Sequence, residues 1–379
     1  MTKENLVFLP DSPYSNWIIA RSEQVVEGVT DYITFGNSTK KFQSPKCRQI
    51  GTQLAGLKKF AEIIPRYKRI IIHYHHELIA YLLERADFPA NKIIWVLWGG
   101  DLYNTPFYDQ QIYLPLTRPF GEQTLPKVPK GMQLVKERMK YLLGRPGFLI
   151  FKRSFQRINY IATFFEGDLR NAERVFSKKY SLIPFALLSA EELLDPSLFE
   201  VSLKNESASK ILLGHAGVPE NNHLDLFAKL KEMDLPHTFL CPLSYGNPTY
   251  CADIIREGNL HFGDRFEPVT RFLPRDEYYT MISTAGFAVF NTLIQQAFGN
   301  ILGLLFIGVK VFLHEQNSIF EKMKSIGVLI YSIGEMTAES ISRPLTSEEI
   351  EHNREILKNV FSDFRVNEFY RNLIQFKAP

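Results

Sequence analysis

Phe287-Ala288-Val289-Phe290, Gln295-Gln296-Ala297-Phe298-Gly299-Asn300, the apolar run Ile301 to Ile307 and Val309-Lys310-Val311-Phe312-Leu313 together decide how this chain folds. Read in order they are a short buried strand, a polar glycine-bearing turn, an apolar helix and a second buried strand, the repeating unit of a parallel sheet. A turn of this kind feeding a helix presents free backbone N–H groups at the positive end of the helix dipole, where a phosphate group binds. The strand ending in His314-Glu315-Gln316-Asn317 strengthens that expectation, because ligands of open α/β sheets sit at strand ends.

The same alternation runs outward in both directions. In the first half, strands are expected at Leu6 to Leu9, Tyr32 to Phe35, Ile70 to His73, Ile93 to Leu97 and around Tyr160 to Phe164, with helices at Gln53 to Ile64 and Leu78 to Ala86. A linker is expected from about 183 to 209, marked by Pro184, Pro196 and the polar run Lys204-Asn205-Glu206-Ser207-Ala208-Ser209. The pattern then restarts with Lys210 to Gly214, helix Leu224 to Met233, strand His237 to Cys241, helix Ala252 to Glu257, a strand near Leu260 and helix Arg275 to Ser283. Three parts follow: a Rossmann-like domain over 1–200, a second such domain over 201–350, and a helical segment over 351–379 that could cross back to the first.

Composition agrees with two cores. The chain has 379 residues, 45% hydrophobic and 22% charged, which is globular and more than one core usually supports. No apolar run reaches the ~18 residues of a membrane-spanning helix. The start, Met1-Thr2-Lys3-Glu4-Asn5, leads into a strand too short for a signal peptide's core, so a cytoplasmic chain is expected. The three cysteines, Cys47, Cys241 and Cys251, form no C-x-x-C pair and are expected as reduced thiols. A net charge of +3 argues against nucleic acid as a partner, although nine Lys or Arg against the single acid Glu137 crowd between Lys127 and Arg157. Neither G-x-G-x-x-G after the first strand nor G-x-x-x-x-G-K-[ST] occurs, which disfavours NAD or FAD enzymes and P-loop ATPases; no cofactor is expected.

Several clusters carry possible chemistry. Leu213-Gly214-His215-Ala216-Gly217 lets the backbone approach a ligand or simply turns, and Asn221-Asn222-His223 could cap the next helix. Pro242 to Tyr250 is dense in turn formers; Ser244 with backbone amides could bind phosphate and Tyr245 could stack on a base or sugar. Asp101, in Trp98-Gly99-Gly100-Asp101, reads equally as a general base, a sugar ligand or a helix N-cap. His73, His75, His76 and Glu77 lack metal-site spacing, and His73 reads as a hydrogen-bonding or basic group or as a plain surface histidine. Over Gly131 to Gly144, Met132, Val135, Met139, Leu142 and Leu143 share one helical face, with Lys136, Arg138 and Lys140 around the other. With Phe148 to Phe151, Lys152 and Arg153 this suits an anionic membrane surface, or else a core-facing helix with solvated lysines.

In their order these segments resemble the TDP-N-acetylfucosamine:lipid II N-acetylfucosaminyltransferases. The resemblance rests on Ile70 to His73, Trp95 with Trp98 to Tyr103, Gly167-Asp168-Leu169, Gly214 with Gly217 and Asn221 to His223, Pro242 with Tyr245, and Gln295 to Asn300. It spans roughly residues 5 to 335. It implies a GT-B-like α/β fold, two Rossmann-like doubly wound domains facing across a cleft, and a metal-independent hexosyltransferase on the inner face of the bacterial cytoplasmic membrane. The implied reaction moves a deoxy-amino sugar from a TDP-sugar to a polyprenyl-diphosphate-linked saccharide. Carried over by position, Gly214, Gly217, Tyr245, Gln295, Gln296, Gly299, Asn300 and Glu315 would hold the donor, while His73 and Asp101 would face the acceptor and supply the base. The chain departs from the family pattern at His215-Ala216, Val218 and Ile294, the last removing a counter-charge for the diphosphate. The rivals are a nucleotide-sugar epimerase or hydrolase on the same scaffold, and an inactive nucleotide-sugar-binding protein.

Overall fold

A computed structural model describes residues 3–36, 42, 44–193 and 209–378. The chain divides into two compact units, one of residues 1–109, 126–188 and 364–379, the other of 110–125 and 189–363.

Unit 1 is built on seven parallel strands: β1 (Asn5–Phe8), β2 (Thr30–Phe35), β3 (Cys47–Ile50), β4 (Arg69–His73), β5 (Ile93–Val96), β6 (Tyr160–Thr163) and β7 (Ser181–Pro184), in the order β3-β2-β1-β4-β5-β6-β7. β1, β5 and β6 are buried along their whole length, as strands covered by helices on both faces must be. Helix Glu77–Ala86 shows how local sequence sets an element. The His76 imidazole accepts from the Leu78 N–H at 3.3 Å to cap its start, Ile79, Leu82 and Leu83 face the core, and left-handed Asp87 ends it. The helix Asp363–Ile374 returns to this unit: Arg21 donates to Asn367 at 2.8 Å, Asn5 to the Ile374 carbonyl at 3.1 Å and Arg69 to the Phe376 carbonyl at 2.6 Å.

Unit 2 carries six parallel strands: β8 (Lys210–Leu213), β9 (Thr238–Pro242), β10 (Phe266–Val269), β11 (Phe287–Phe290), β12 (Lys310–Leu313) and β13 (Tyr331–Ser332), in the order β10-β9-β8-β11-β12-β13. Between β11 and β12 the helix Phe298–Ile307 is buried from Ile301 onward. Segment 110–125, expected in the first domain, belongs here. The Asn222 side chain accepts from Leu114 N–H at 2.7 Å and donates to the carbonyls of Ile112 and Asn291, while Asp225 accepts from the N–H groups of Leu116 and Thr117.

Two expectations need correcting. Leu260 lies on the helix Pro248–Phe262, 75% exposed, and the strand of that region is β10. Pro184 ends β7 instead of opening a linker, and Ala190–Leu193 is helical. Pro196 and the run 204–208 lie outside the described residues. Among the described residues no helix is long and apolar enough to cross a membrane, and the three cysteines are free thiols.

Candidate active site

In both sheets the chain runs outward from a central strand and then restarts on its other side, between β1 and β4 in unit 1 and between β8 and β11 in unit 2. Loops leaving such neighbouring strands in opposite directions open a crevice at the strands' carboxyl ends.

In unit 2 the crevice is flanked by the loops after β8 and β11. Gly214 has φ +65°, and a Cβ there would stand 2.5 Å from the Asn221 Oδ1, so both conformation and space call for glycine. Asn221 is fully buried; its Oδ1 accepts from the His215 N–H at 3.2 Å and its Nδ2 donates to the Ala216 carbonyl at 3.2 Å. Expected as a helix cap and as a donor-binding residue, it has both side-chain groups engaged in holding the loop in shape. Gly217 likewise serves packing: it pairs with Gly246, and a Cβ on it would stand 2.0 Å from the Cys251 Sγ. That close crossing anchors the Leu243–Asn247 turn after β9, which presents half-buried Ser244 and a Tyr245 that is 52% exposed.

Across the crevice, Gln295 to Asn300 are all half-buried. Ala297, in the left-handed region at φ 55°, precedes helix Phe298–Ile307, and no side chain caps that helix start. The Asn300 amide donates to the Tyr278 hydroxyl at 3.1 Å. Among the described residues, four polar atoms buried around this crevice find no hydrogen-bond partner: His215 Nδ1, His223 Nε2, Asn291 Oδ1 and Gln296 Oε1. Each costs about 1–3 kcal/mol while unsatisfied, which a folded chain tolerates where a ligand completes the bonding. Burial holds the His215 and His223 imidazoles down at about 4 and about 3, so both are neutral near pH 7. Nothing in the sequence marked His223 and Asn291 for this crevice; strand order brings them there.

Glu315 is partly spent. Its Oε1 accepts from the Ser332 hydroxyl and from the Gly334 N–H at 2.7 Å, and these bonds help hold its carboxyl below the usual range despite burial. Through Oε1 it braces the β12–β13 loops, while Oε2 lies 3.7 Å from His314 Nδ1 and the side chain stays 43% exposed.

In unit 1 the structure gives Asp101 a different job from the expected base. It is 2% exposed, its Oδ2 accepts from the Trp95 indole at 2.5 Å and the His75 N–H at 3.0 Å, and its Oδ1 accepts from the Trp98 N–H at 3.0 Å. Both oxygens tie the loop after β5 to the end of β4. Burial pushes its pKa up to about 6 against those hydrogen bonds. His73, 2% exposed, accepts the Trp98 indole N–H on Nδ1 at 3.3 Å, so its proton is on Nε2 and burial holds it neutral, with a pKa of about 3. In that tautomer Nε2 carries a hydrogen-bond donor, and the depressed pKa leaves the ring a poor proton acceptor near pH 7. His75 bonds Ser154 at 2.7 Å, and His76 caps its helix, so the imidazoles after β4 serve separate ends. Sequence reasoning passed over Tyr74, at φ +67°, and the half-buried Asp11 and Trp17 in the segment after β1.

The basic helix Met132–Leu142 has no buried residue, which excludes the core-facing alternative for it. Met132, Val135, Met139, Leu142 and Leu143 are 51–82% exposed, while Glu137 turns inward, accepting from the Phe148 N–H at 2.8 Å and pairing with Lys140. Lys136, Arg138 and Lys152 are exposed. Phe148, Ile150 and Phe151 are core residues and leave the expected membrane face, while Arg153 is exposed and donates to the Tyr141 hydroxyl at 2.5 Å.

The fold matches solved structures along nearly its whole length. Sucrose-phosphate synthase from Thermosynechococcus elongatus superposes with a TM-score of 0.61 at 12% identity, covering 99% of this chain and 100% of that one. A glycosyltransferase from Rickettsia africae gives 0.56 at 12% identity over 99% and 100%. The Anabaena protein HepE in complex with UDP gives 0.59 at 10% over 97% and 98%. No curated protein sequence matches the chain. Residues 140–363, more than half of the chain, match the model of the 4-alpha-L-fucosyltransferases, glycosyl transferase group 56. Two parallel-sheet Rossmann-like units in the GT-B arrangement of elements and this match lead to one conclusion: the chain belongs to the 4-alpha-L-fucosyltransferase family, group 56, and is a glycosyltransferase.

Proposed function

We propose that the chain transfers a deoxy-amino sugar of the N-acetylfucosamine type from a TDP-sugar to a polyprenyl-diphosphate-linked saccharide. In this reading unit 2 binds the donor and unit 1 the acceptor, and the protein works from the inner face of the bacterial cytoplasmic membrane. The observation that carries the donor side is the uncapped start of helix Phe298–Ile307 beside the four unpartnered polar atoms. Uncapped N–H groups want an anionic acceptor such as a diphosphate, while the Asn291 and Gln296 carbonyl oxygens want hydroxyl or imide donors. A nucleoside-diphosphate sugar supplies both. HepE was solved with UDP, and an E. coli protein of similar fold with UDP-2-fluoro glucose, which supports a nucleotide-sugar donor.

The catalytic load then falls on stabilising the departing diphosphate. None of the segments Gly214 to Gly217, Leu243 to Asn247, Asn291 to Asn300 and His314 to Asn317 contains Lys or Arg. Helix dipole and neutral hydrogen-bond donors carry that task, in preference to side-chain cations or a metal. Calorimetric titration with TDP and UDP, with and without EDTA, tests this: EDTA-insensitive binding of TDP is expected, and absence of any nucleotide binding overturns the donor site.

The acceptor's lipid anchor is matched by helix Met132–Leu142, whose apolar stripe faces outward between Lys136 and Arg138. An anionic bilayer takes up such a stripe and pairs with the flanking cations, each worth about 1 kcal/mol near the surface. Reversing the charges of Lys136, Arg138 and Lys140 should lower co-sedimentation with phosphatidylglycerol vesicles at least about tenfold. Unchanged sedimentation, or a concentration-dependent dimer in its place, returns the stripe to protein contact.

A further inference from the structure

Aromatic side chains, instead of charged groups, collect at the crevice of unit 1. Tyr14 and Trp17, on the helix Tyr14–Val25 that follows β1, stand 5.4 Å apart between ring centres. Trp98, after β5, lies 6.0 Å from Tyr14, and Tyr74, after β4, lies 6.4 Å from Trp98, both edge to face. The Trp98 indole N–H is spent on His73, which fixes the ring and leaves its face as the available surface.

These rings differ from the other aromatic cluster of the unit. Trp95, Phe151, Phe155 and Phe176 pack around one another inside the core and are 0–7% exposed. Tyr14 is 39% exposed and Trp17, Tyr74 and Trp98 are half-buried, so apolar ring surface stays in contact with water at the place where this fold class holds ligands. Tyr74 reaches its position from a left-handed backbone, φ +67°, a conformation that costs about 1–3 kcal/mol for a bulky residue and gathers at functional sites.

We propose that Tyr14, Trp17, Tyr74 and Trp98 form a stacking platform for a sugar ring of the saccharide acceptor, with the His73 Nε2–H directed at one of its hydroxyls. The proposal rests on the transferase reading and adds which surface of unit 1 recognises the acceptor and by what chemistry. A pyranose ring has an apolar face of C–H bonds and a rim of hydroxyls. Half-exposed indole and phenol faces match the first, and a neutral imidazole N–H matches the second. A diphosphate would find no cation among these five residues, so the platform takes the saccharide part of the acceptor.

The three tryptophans make this measurable, since Trp95 is wholly buried and Trp17 and Trp98 both stand in the platform. The full chain is titrated with the free disaccharides chitobiose, cellobiose and maltose, following tryptophan emission, with TDP titrated in parallel by calorimetry. A saturable emission change is expected with at least one disaccharide. In Trp98→Ala, and in the more exposed Tyr14→Ala that spares the core, its half-saturation point should rise at least about fivefold. Trp98→Phe, which keeps an aromatic face, should restore part of the affinity, and the TDP affinity of all three variants should stay at the wild-type value. No saturable change with any disaccharide, an equal response in the variants, or an emission shift produced by phosphatidylglycerol vesicles and not by saccharide overturns the platform. Disaccharide binding without TDP or UDP binding would leave the platform standing and remove the transferase reading; TDP binding without saccharide binding would do the reverse.

Discussion

The two crevices share a topology and differ in how their polar groups are paid. In unit 1, Asp101 and His73 are bonded to the surrounding loops, and what remains facing outward is aromatic. In unit 2, loop-holding groups such as Asn221 are satisfied, yet His215, His223, Asn291 and Gln296 each keep a buried atom without a partner. Among the described residues, the first crevice keeps one such atom, His75 Nδ1, and turns rings outward, while the second keeps four. On the proposed reading, parallel sheets of the same winding are specialised for a sugar face and for a charged nucleotide by side chains alone, with no change in strand order.

The largest test of this contrast is acid. His73, His75 and His76 in unit 1 and His215 and His223 in unit 2 are held neutral by burial, with pKa values of about 3 to about 4 against an ordinary 6.5. The unfolded chain takes protons below pH 6.5 while the folded chain refuses them until near 4, so stability present at pH 7 is lost as pH falls through that window. Each imidazole then removes roughly 1–2 kcal/mol by pH 5. Asp101 opposes this, because its raised pKa of about 6 makes the folded state the stronger proton binder between about 6 and 4, but it is one group against five. Urea midpoints that stay level from pH 7.5 to pH 5 would show that these histidines are not held neutral.

Next in size is Asp101→Ala. It strands three buried or half-buried donors, the Trp95 indole and the N–H groups of His75 and Trp98, and should cost about 3 kcal/mol or more of unfolding free energy, read by urea titration. A variant of wild-type stability that has lost only turnover would restore Asp101 as the base.

The smallest effect should also have the opposite character. Gln296→Ala removes a carbonyl oxygen that has no partner in the free protein, so the unfolding midpoint should hold or rise slightly, while TDP binding weakens about tenfold. Loss of stability with unchanged TDP affinity would erase the comparison.

How much of this could be read from residues alone follows burial. Strands in the middle of each sheet, such as β1, β4, β5, β11 and β12, are apolar runs and announce themselves. The strands missed or misplaced are all at sheet edges. β3 shows Arg48 and Gln49 to solvent, β7 ends in Pro184, β10 contains Pro268 and β13 is two residues long. Edge strands bury one side or less and avoid the pattern that makes a strand legible. At the site, the turn before helix Phe298–Ile307 was visible because glycine and glutamine between a strand and an apolar helix have few other uses. The roles of Asp101, Asn221 and Glu315 were not, because each is decided by which N–H and O–H groups the folded loops turn toward its oxygens, from Trp98 three positions away to His75 at 26. The capture of segment 110–125 by Asn222 and Asp225 depends on partners more than a hundred positions apart, which no local pattern reports.

That exchange of segments has a consequence for how the protein is made. The chain passes between the two units at 109/110, 125/126, 188/189 and 363/364. A ribosome delivers nearly all of unit 1 before unit 2, yet Asn5, Arg21 and Arg69 wait for partners on residues 367–376, which lie 369, 346 and 307 positions further along the chain. Unit 2 meanwhile needs a strap synthesised before its first strand. Unit 1 cannot be finished before the whole of unit 2 has been made, so the nascent chain must stay soluble half-built, and a genetic cut at any single position from 1 to 379 leaves at least one unit short of a piece.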